Sequence, residues 1–85
     1  MYFVYVLRFD QDSNLYIGFT ANLKRRLAEH AQGKNVSTQK RGAPKLIYFE
    51  GYIHKMDALG RELFLKSGSG HRFLKKQLKN FLCTA

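Results

Sequence analysis

Apolar and polar residues change rhythm several times along this 85-residue chain, and each change marks an element. Residues 2–9 are dense in aromatic and β-branched types. Asp10-Gln11-Asp12-Ser13-Asn14 is a cluster of turn formers, and residues 15–20 resume the first character, which predicts a β-hairpin. With a period of two, Phe3, Tyr5, Leu7 and Phe9 share one strand face, and Tyr16, Gly18 and Thr20 share another. If Phe9 pairs with Asn14, Tyr5 lies across from Gly18 and diagonal to Tyr16, and the glycine leaves space beside both phenols.

From residue 20 to 33 the period lengthens to that of a helix, with Thr20 or Asn22 as N-cap and Gly33 as stop. Setting Leu23 at zero, Leu27 falls at about 40°, Ala31 at about 80°, His30 at about 340° and Arg26 at about 300°. His30 therefore sits inside the apolar arc and Arg26 borders it. Residues 34–44 are polar and basic without a period, which predicts a surface loop; residues 46–52 predict a third strand, with Leu46, Tyr48 and Glu50 on one face and Ile47 and Phe49 on the other. A second helix is expected over 55–66, where Leu59 at zero, Leu63 at about 40°, Met56 at about 60°, Ala58 at about 260° and Leu65 at about 240° place Glu62, at about 300°, within the apolar arc. A buried carboxylate needs a cation, so Glu62 is expected to meet an Arg or a metal ion. Ser67-Gly68-Ser69-Gly70 breaks this helix and offers the cap of a last one over 71–82. There Phe73, Leu74, Leu78 and Phe81 form one half of the wheel and Arg72, Lys75, Lys76 and Lys79 the other.

The predicted architecture is thus one α+β domain over 1–85, in the order β-β-α-β-α-α. Composition narrows its partners. Fifteen Lys and Arg against six Asp and Glu give a formal charge of +9 at pH 7. Such a field draws polyanions, DNA or RNA above all, although an anionic membrane surface would also be attracted. No apolar run approaches the roughly 20 residues of a membrane span. The N-terminus lacks the pattern of a signal peptide, and the lone Cys83 has no internal partner, so a soluble, cytoplasmic protein is expected. Basic residues positioned for a phosphate backbone are Lys24 and Arg25 on the first helix, Lys34, Lys40 and Arg41 in the loop, and Arg72, Lys75, Lys76 and Lys79 on the last helix.

Tyr5, Tyr16, Arg26, His30 and Glu62 are polar groups at positions where the pattern asks for apolar ones, and each needs a partner or a ligand. Singly, each has a bland reading: a rim tyrosine, a satisfied core histidine, a salt bridge of Arg26 with Glu62. Together they point to a site. A metal on one carboxylate keeps open positions and acidifies water. Arg26 can brace phosphate oxygens as charge builds on them, and a phenol or imidazole can take the proton of attacking water. Tyr5, Tyr16 and His30 all remain open for that last role.

The segments Phe3-Val4-Tyr5, Tyr16-Ile17-Gly18, Asn22 through His30 and Arg61 through Gly68 resemble the motifs of the GIY-YIG endonuclease domain, and the likeness spans almost the whole chain. It is similar to the small single-domain members related to the nuclease domain of the UvrC repair protein. The resemblance implies a three-stranded antiparallel sheet with flanking helices and DNA cleavage with one divalent ion, Mg²⁺ or Mn²⁺. It also implies that Tyr5, Tyr16, Arg26 and His30 are catalytic residues and that Glu62 is both catalytic and the metal ligand. The first motif opens with Phe3 in place of Gly, and the asparagine that larger members use downstream of the carboxylate has no secure match, Asn80 agreeing by type alone. Nothing suggests base readout, so a structure-directed endonuclease of repair or recombination is expected, with target choice supplied by a protein partner. The alternative is a nucleic-acid-binding module, or a subunit of a larger DNA-processing complex, that cleaves weakly or not at all.

Overall fold

The computed structural model describes residues 1–9, 12–32 and 44–84. β1 (Tyr2–Phe9) is the central strand of an antiparallel sheet of order β2-β1-β3, flanked by β2 (Asp12–Thr20) and β3 (Pro44–Tyr52). Four helices complete the described chain: α1 (Leu23–Ala31), α2 (Lys55–Lys66), α3 (Gly68–Gln77) and α4 (Lys79–Thr84). Among the described residues no helix is long and apolar enough to cross a membrane.

The hairpin register places Tyr5 opposite Gly18, as the side-chain alternation predicts, and holds from Phe3–Thr20 to Arg8–Leu15. It fails at the end. The register shifts between Arg8 and Phe9, so Phe9 pairs with Asp12 and not with Asn14, and β2 begins at Asp12. β3 likewise starts at Pro44, two residues before the expected Leu46, because a proline is tolerated as the first residue of an edge strand. A second irregularity, between Val6–Tyr48 and Leu7–Leu46, leaves Ile47 without an opposite number. Strict alternation is broken there. Leu46 packs with Tyr5 and Leu7, whereas Ile47 and Tyr48 both pack on the opposite face.

Each sheet face has its own core. Val4, Val6 and Ile17 meet Ala58 of α2 and Leu74 of α3, with Leu65 closing the cluster. On the other face Tyr5, Leu7 and Phe9 are covered by Leu23 and Leu27 of α1. Asn22 is the cap of α1, accepting from the Arg25 amide at 3.0 Å, while Thr20 braces it through Oγ1. The buried face of α2 differs from the expected one. Ala58 and Leu65 are fully buried, but Leu63 is 71% exposed and Met56 faces solvent, so the helix is rotated relative to the wheel drawn from its leucines.

Ser67 ends α2 and caps α3, as its position in the Ser-Gly run predicts, and α3 then begins at Gly68. Gly70 lies where the two helices touch: a Cβ there would collide with the Phe64 carbonyl oxygen and Leu65 Cα. The expected last helix over 71–82 is divided at Leu78 into α3 and α4. The turn re-aims α4 so that the Phe81 ring receives the cations of Lys45, at 5.2 Å, and Arg8, at 5.9 Å.

Candidate active site

Tyr5 stands at the middle of the central strand and is fully buried. Gly18 is the reason its ring fits: a Cβ at Gly18 would overlap the phenol at Cζ and the hydroxyl. The Tyr5 hydroxyl lies 3.0 Å from His30 Nε2, which joins β1 to the last turn of α1. The Tyr16 ring closes the group from β2, 5.1 Å from the His30 ring and 6.5 Å from that of Tyr5. His30 is buried, as its place in the apolar arc predicts.

Arg26 is one turn before His30 on the same helix face. Its Nη1 bonds Glu29 Oε1 at 3.2 Å. Its Nε is buried and has no hydrogen-bond partner among the described residues, although the side chain as a whole is 39% exposed. A guanidinium with one satisfied arm and one empty donor is suited to an anion that arrives from solvent.

Glu62 lies at the edge of the buried face of α2, its side chain 17% exposed. The cation it meets is Lys66 Nζ at 3.2 Å, so neither the expected Arg nor an interhelical pair with Arg26 is formed. Its negative charge nevertheless reaches Tyr5 and acts to raise the pKa of the phenol.

Electrostatics follow from these positions. Burial pushes Tyr5 above the ordinary tyrosine range, against the hydrogen bond and charge of Arg26. Burial, and then the Arg26 charge, pull His30 below its usual value, with Glu29 opposing. At neutral pH the pair is therefore a protonated phenol and a neutral imidazole, and in the tautomer with the proton on Nδ1 the hydroxyl donates to Nε2. The neighbouring Tyr5 phenol, and then the Glu29 carboxylate, hold Arg26 firmly charged.

For a divalent ion, Glu62 supplies a hard carboxylate oxygen in a half-buried setting, and Lys66 is exposed enough to swing away. No group of three or more His, Cys, Asp or Glu gathers anywhere among the described residues, at Glu62 included, so the protein would offer the ion this one carboxylate. This donor set suits Mg²⁺ or Mn²⁺ and would leave most coordination positions to water and substrate.

The basic residues separate into two strips. Lys24 and Arg25 are exposed on α1, over one sheet face; Arg72, Lys75, Lys76 and Lys79 are exposed on α3 and α4, on the side of the other. Lys34, Lys40 and Arg41 lie outside the described residues, as does the stop at Gly33.

A further polar cluster is not announced by the pattern of the chain. Arg61 donates to Glu50 through Nε at 2.9 Å and Nη2 at 3.1 Å, Tyr52 donates to the same carboxylate at 2.5 Å, and Tyr48 donates to its other oxygen. The guanidinium also stacks on Phe73 and Phe64 at 4.6 and 5.0 Å. The one signal that points to it is the alternation Tyr48-x-Glu50-x-Tyr52, which sets a carboxylate between two phenols on one strand face.

The chain matches the GIY-YIG catalytic domain over residues 1–77. It is 39% identical over 82 residues to a UPF0213 protein in the ldhD 5' region of Pediococcus acidilactici, covering 93% of this chain and 82% of that one. A UPF0213 protein of Oceanobacillus iheyensis is 37% identical over 81 residues, covering 94% and 91% of the two chains. One from Clostridium perfringens is 40% identical over 67 residues, covering 78% and 71%. No solved structure matches. With this match across most of its length, and with the three-stranded sheet that carries Tyr5 opposite Gly18, the chain belongs to the GIY-YIG nuclease family.

Proposed function

We propose that this protein is a divalent-metal-dependent endonuclease that hydrolyses phosphodiester bonds in DNA, choosing distorted or branched structures in repair or recombination. The observation that carries the reading is the convergence of Tyr5, Tyr16, His30 and the half-satisfied Arg26.

In this reading Arg26 Nε, with its empty donor, bonds a non-bridging phosphate oxygen and holds it as negative charge grows there. Neutral His30 accepts the Tyr5 proton, and Arg26 offsets the charge of the phenolate so formed. That phenolate can then take the proton of the attacking water. Burial of Tyr5 disfavours the phenolate in the free protein, so the step belongs to the substrate-bound state. Tyr16, half-buried beside both groups, bounds the water site. Glu62 would hold the metal, which when bound polarises the phosphate and acidifies water. DNA approaches through the +9 field, with the exposed Lys24 and Arg25 on the same helix as Arg26.

One observation favours a second reading, a binding module with little turnover: the Glu62 carboxylate is already paired with Lys66. A single assay separates the two. Supercoiled plasmid and a branched oligonucleotide are incubated with wild type and with Glu62→Ala in Mg²⁺ or Mn²⁺. The nuclease reading predicts cutting by wild type alone. If wild type cuts no better than Glu62→Ala while both bind DNA, hydrolysis is refuted and the binding module stands.

A further inference from the structure

The sheet face that carries Tyr5 continues beyond α1 into an uncovered aromatic surface. Phe49 pairs with Tyr5 across β3 and β1, and Gly51 pairs with Phe3, so Phe3, Tyr5 and Phe49 rise from one face. Phe49 is 51% exposed and Met1 66%. The Phe3 and Phe49 rings meet edge to face with centroids 6.2 Å apart. Gly51 keeps the surface low, since a Cβ there would stand only 2.8 Å from Met1 Sδ and 3.4 Å from Phe3 Cε1.

Position decides what this surface fits. Phe49 is one strand spacing, about 4.8 Å, from Tyr5, and Phe3 is two residues along the strand, about 6.7 Å. Successive nucleotides of one strand rise by about 3.4 Å in a duplex, so a strand whose phosphate is held near the Tyr5 site would have a neighbouring base within reach of these rings. In a paired duplex those base faces are occupied by stacking. In an unpaired strand they are free, and every base has a π-face that an aromatic ring can take without reading sequence. Continuity with the site and the +9 charge favour a nucleic acid over a protein as the occupant.

We propose that Phe49, supported by Phe3, is a stacking platform for an unpaired nucleobase beside the bond to be cut, so that the protein selects single-stranded or frayed DNA over intact duplex. The proposal rests on the nuclease reading of the neighbouring residues and names the substrate class of that site.

The test measures binding without turnover. The full chain carrying Glu62→Ala is titrated in EDTA against a fluorescein-labelled single strand and the blunt duplex of the same sequence, alone and with Phe49→Leu or Phe49→Trp added. Phe49→Leu should weaken the single strand about tenfold and leave the duplex unchanged, and Phe49→Trp should retain single-strand affinity. Equal loss on both DNAs, or no loss on either, overturns the platform. So does a wild-type dimer that Phe49→Leu dissolves while single-strand preference persists, for then a second copy covers the face. Thermal melts of the variants check folding, and Phe49→Thr, a residue suited to an exposed strand position, carries the comparison with the same expected loss if Phe49→Leu is unstable. Failure of wild type to cut better than Glu62→Ala would sink the nuclease reading and leave this binding comparison readable, while a working nuclease indifferent to Phe49 would sink the platform alone.

Discussion

Among the described residues, two clusters of buried and partly buried polar groups lie one on each side of the sheet, and they are built to different standards. In the cluster on the α2 and α3 side, both oxygens of Glu50 are bonded, Arg61 donates twice to them, and its flat faces rest on Phe64 and Phe73. Burial and the Glu50 bond push Tyr52 up to about 12, so it stays a donor at any ordinary pH. On the α1 side, Arg26 keeps a buried Nε without a partner among the described residues, and Tyr5 and His30 share one bond in a site where burial disfavours the charge of either. Completed networks fix a structure, whereas an incomplete one is tolerated where a ligand completes it. On the proposed nuclease reading, the difference gives Glu50 and Arg61 to stability and Tyr5, Arg26 and His30 to chemistry.

Substitution of the two arginines is the strongest way to break that contrast. Arg26→Ala should lower the cleavage rate by about 10²–10³-fold while shifting stability by no more than about 1 kcal/mol, because it removes a donor aimed at developing charge and an ion pair that is partly exposed. Arg61→Ala should do the reverse, destabilising by about 3 kcal/mol because Glu50 is left without its counter-charge. Plasmid nicking and urea denaturation of both variants check the pair. Equal effects on both readouts would erase the distinction.

A subtler probe is Gly18→Ala. The added methyl meets the Tyr5 phenol, so the hydroxyl must move away from His30 and activity should fall about tenfold or more, with about 1–3 kcal/mol of overpacking visible in the same melts. Full activity in this variant would show that the position of the Tyr5 hydroxyl is immaterial.

Titration separates the clusters by pH. His30 is held below its ordinary 6.5, by burial and then by Arg26. The unfolded chain therefore takes up a proton that the folded one refuses, and stability falls as pH drops below about 6.5, levelling once the folded imidazole titrates. Burial alone would raise Glu50, but its bonds to Arg61, Tyr48 and Tyr52 hold it below 4.5. Its contribution is complete above that value and is lost as pH falls through the folded pKa. Melts across this range should lose the upper dependence in His30→Gln and the lower one in Glu50→Gln. The smallest effect is expected from the distant strip. Replacing Lys75, Lys76 or Lys79 by Ala leaves one phosphate without its cation, and each replacement should reduce the salt slope of DNA binding by about one without altering the cut.

Short-range pattern made much of this legible. Alternation gave Tyr5 opposite Gly18, and the helical wheel gave a buried His30 beside Arg26, because both depend only on neighbours within one element or one hairpin. The strand order and the Glu50–Arg61 cluster depend on where β3 and α2 meet, which no local period encodes. The irregularity at Ile47 escaped for a related reason, since no Gly or Pro marks it, and it overturned the strict alternation drawn for that strand. The wheel of α2 misled because Leu63 and Met56 are exposed, and Glu62, expected within the apolar arc, lies at the edge of the buried face and found Lys66 in its own helix.

The central claim is that the incomplete cluster is completed by a phosphate and a metal ion. A crystal structure of Tyr5→Phe with Mn²⁺ and a short oligonucleotide tests it most directly. The account predicts Mn²⁺ on the Glu62 carboxylate, Lys66 displaced, and a phosphate oxygen on Arg26 Nε. DNA bound with no phosphate at Arg26, Glu62 still paired to Lys66 and no Mn²⁺ beside it would contradict it.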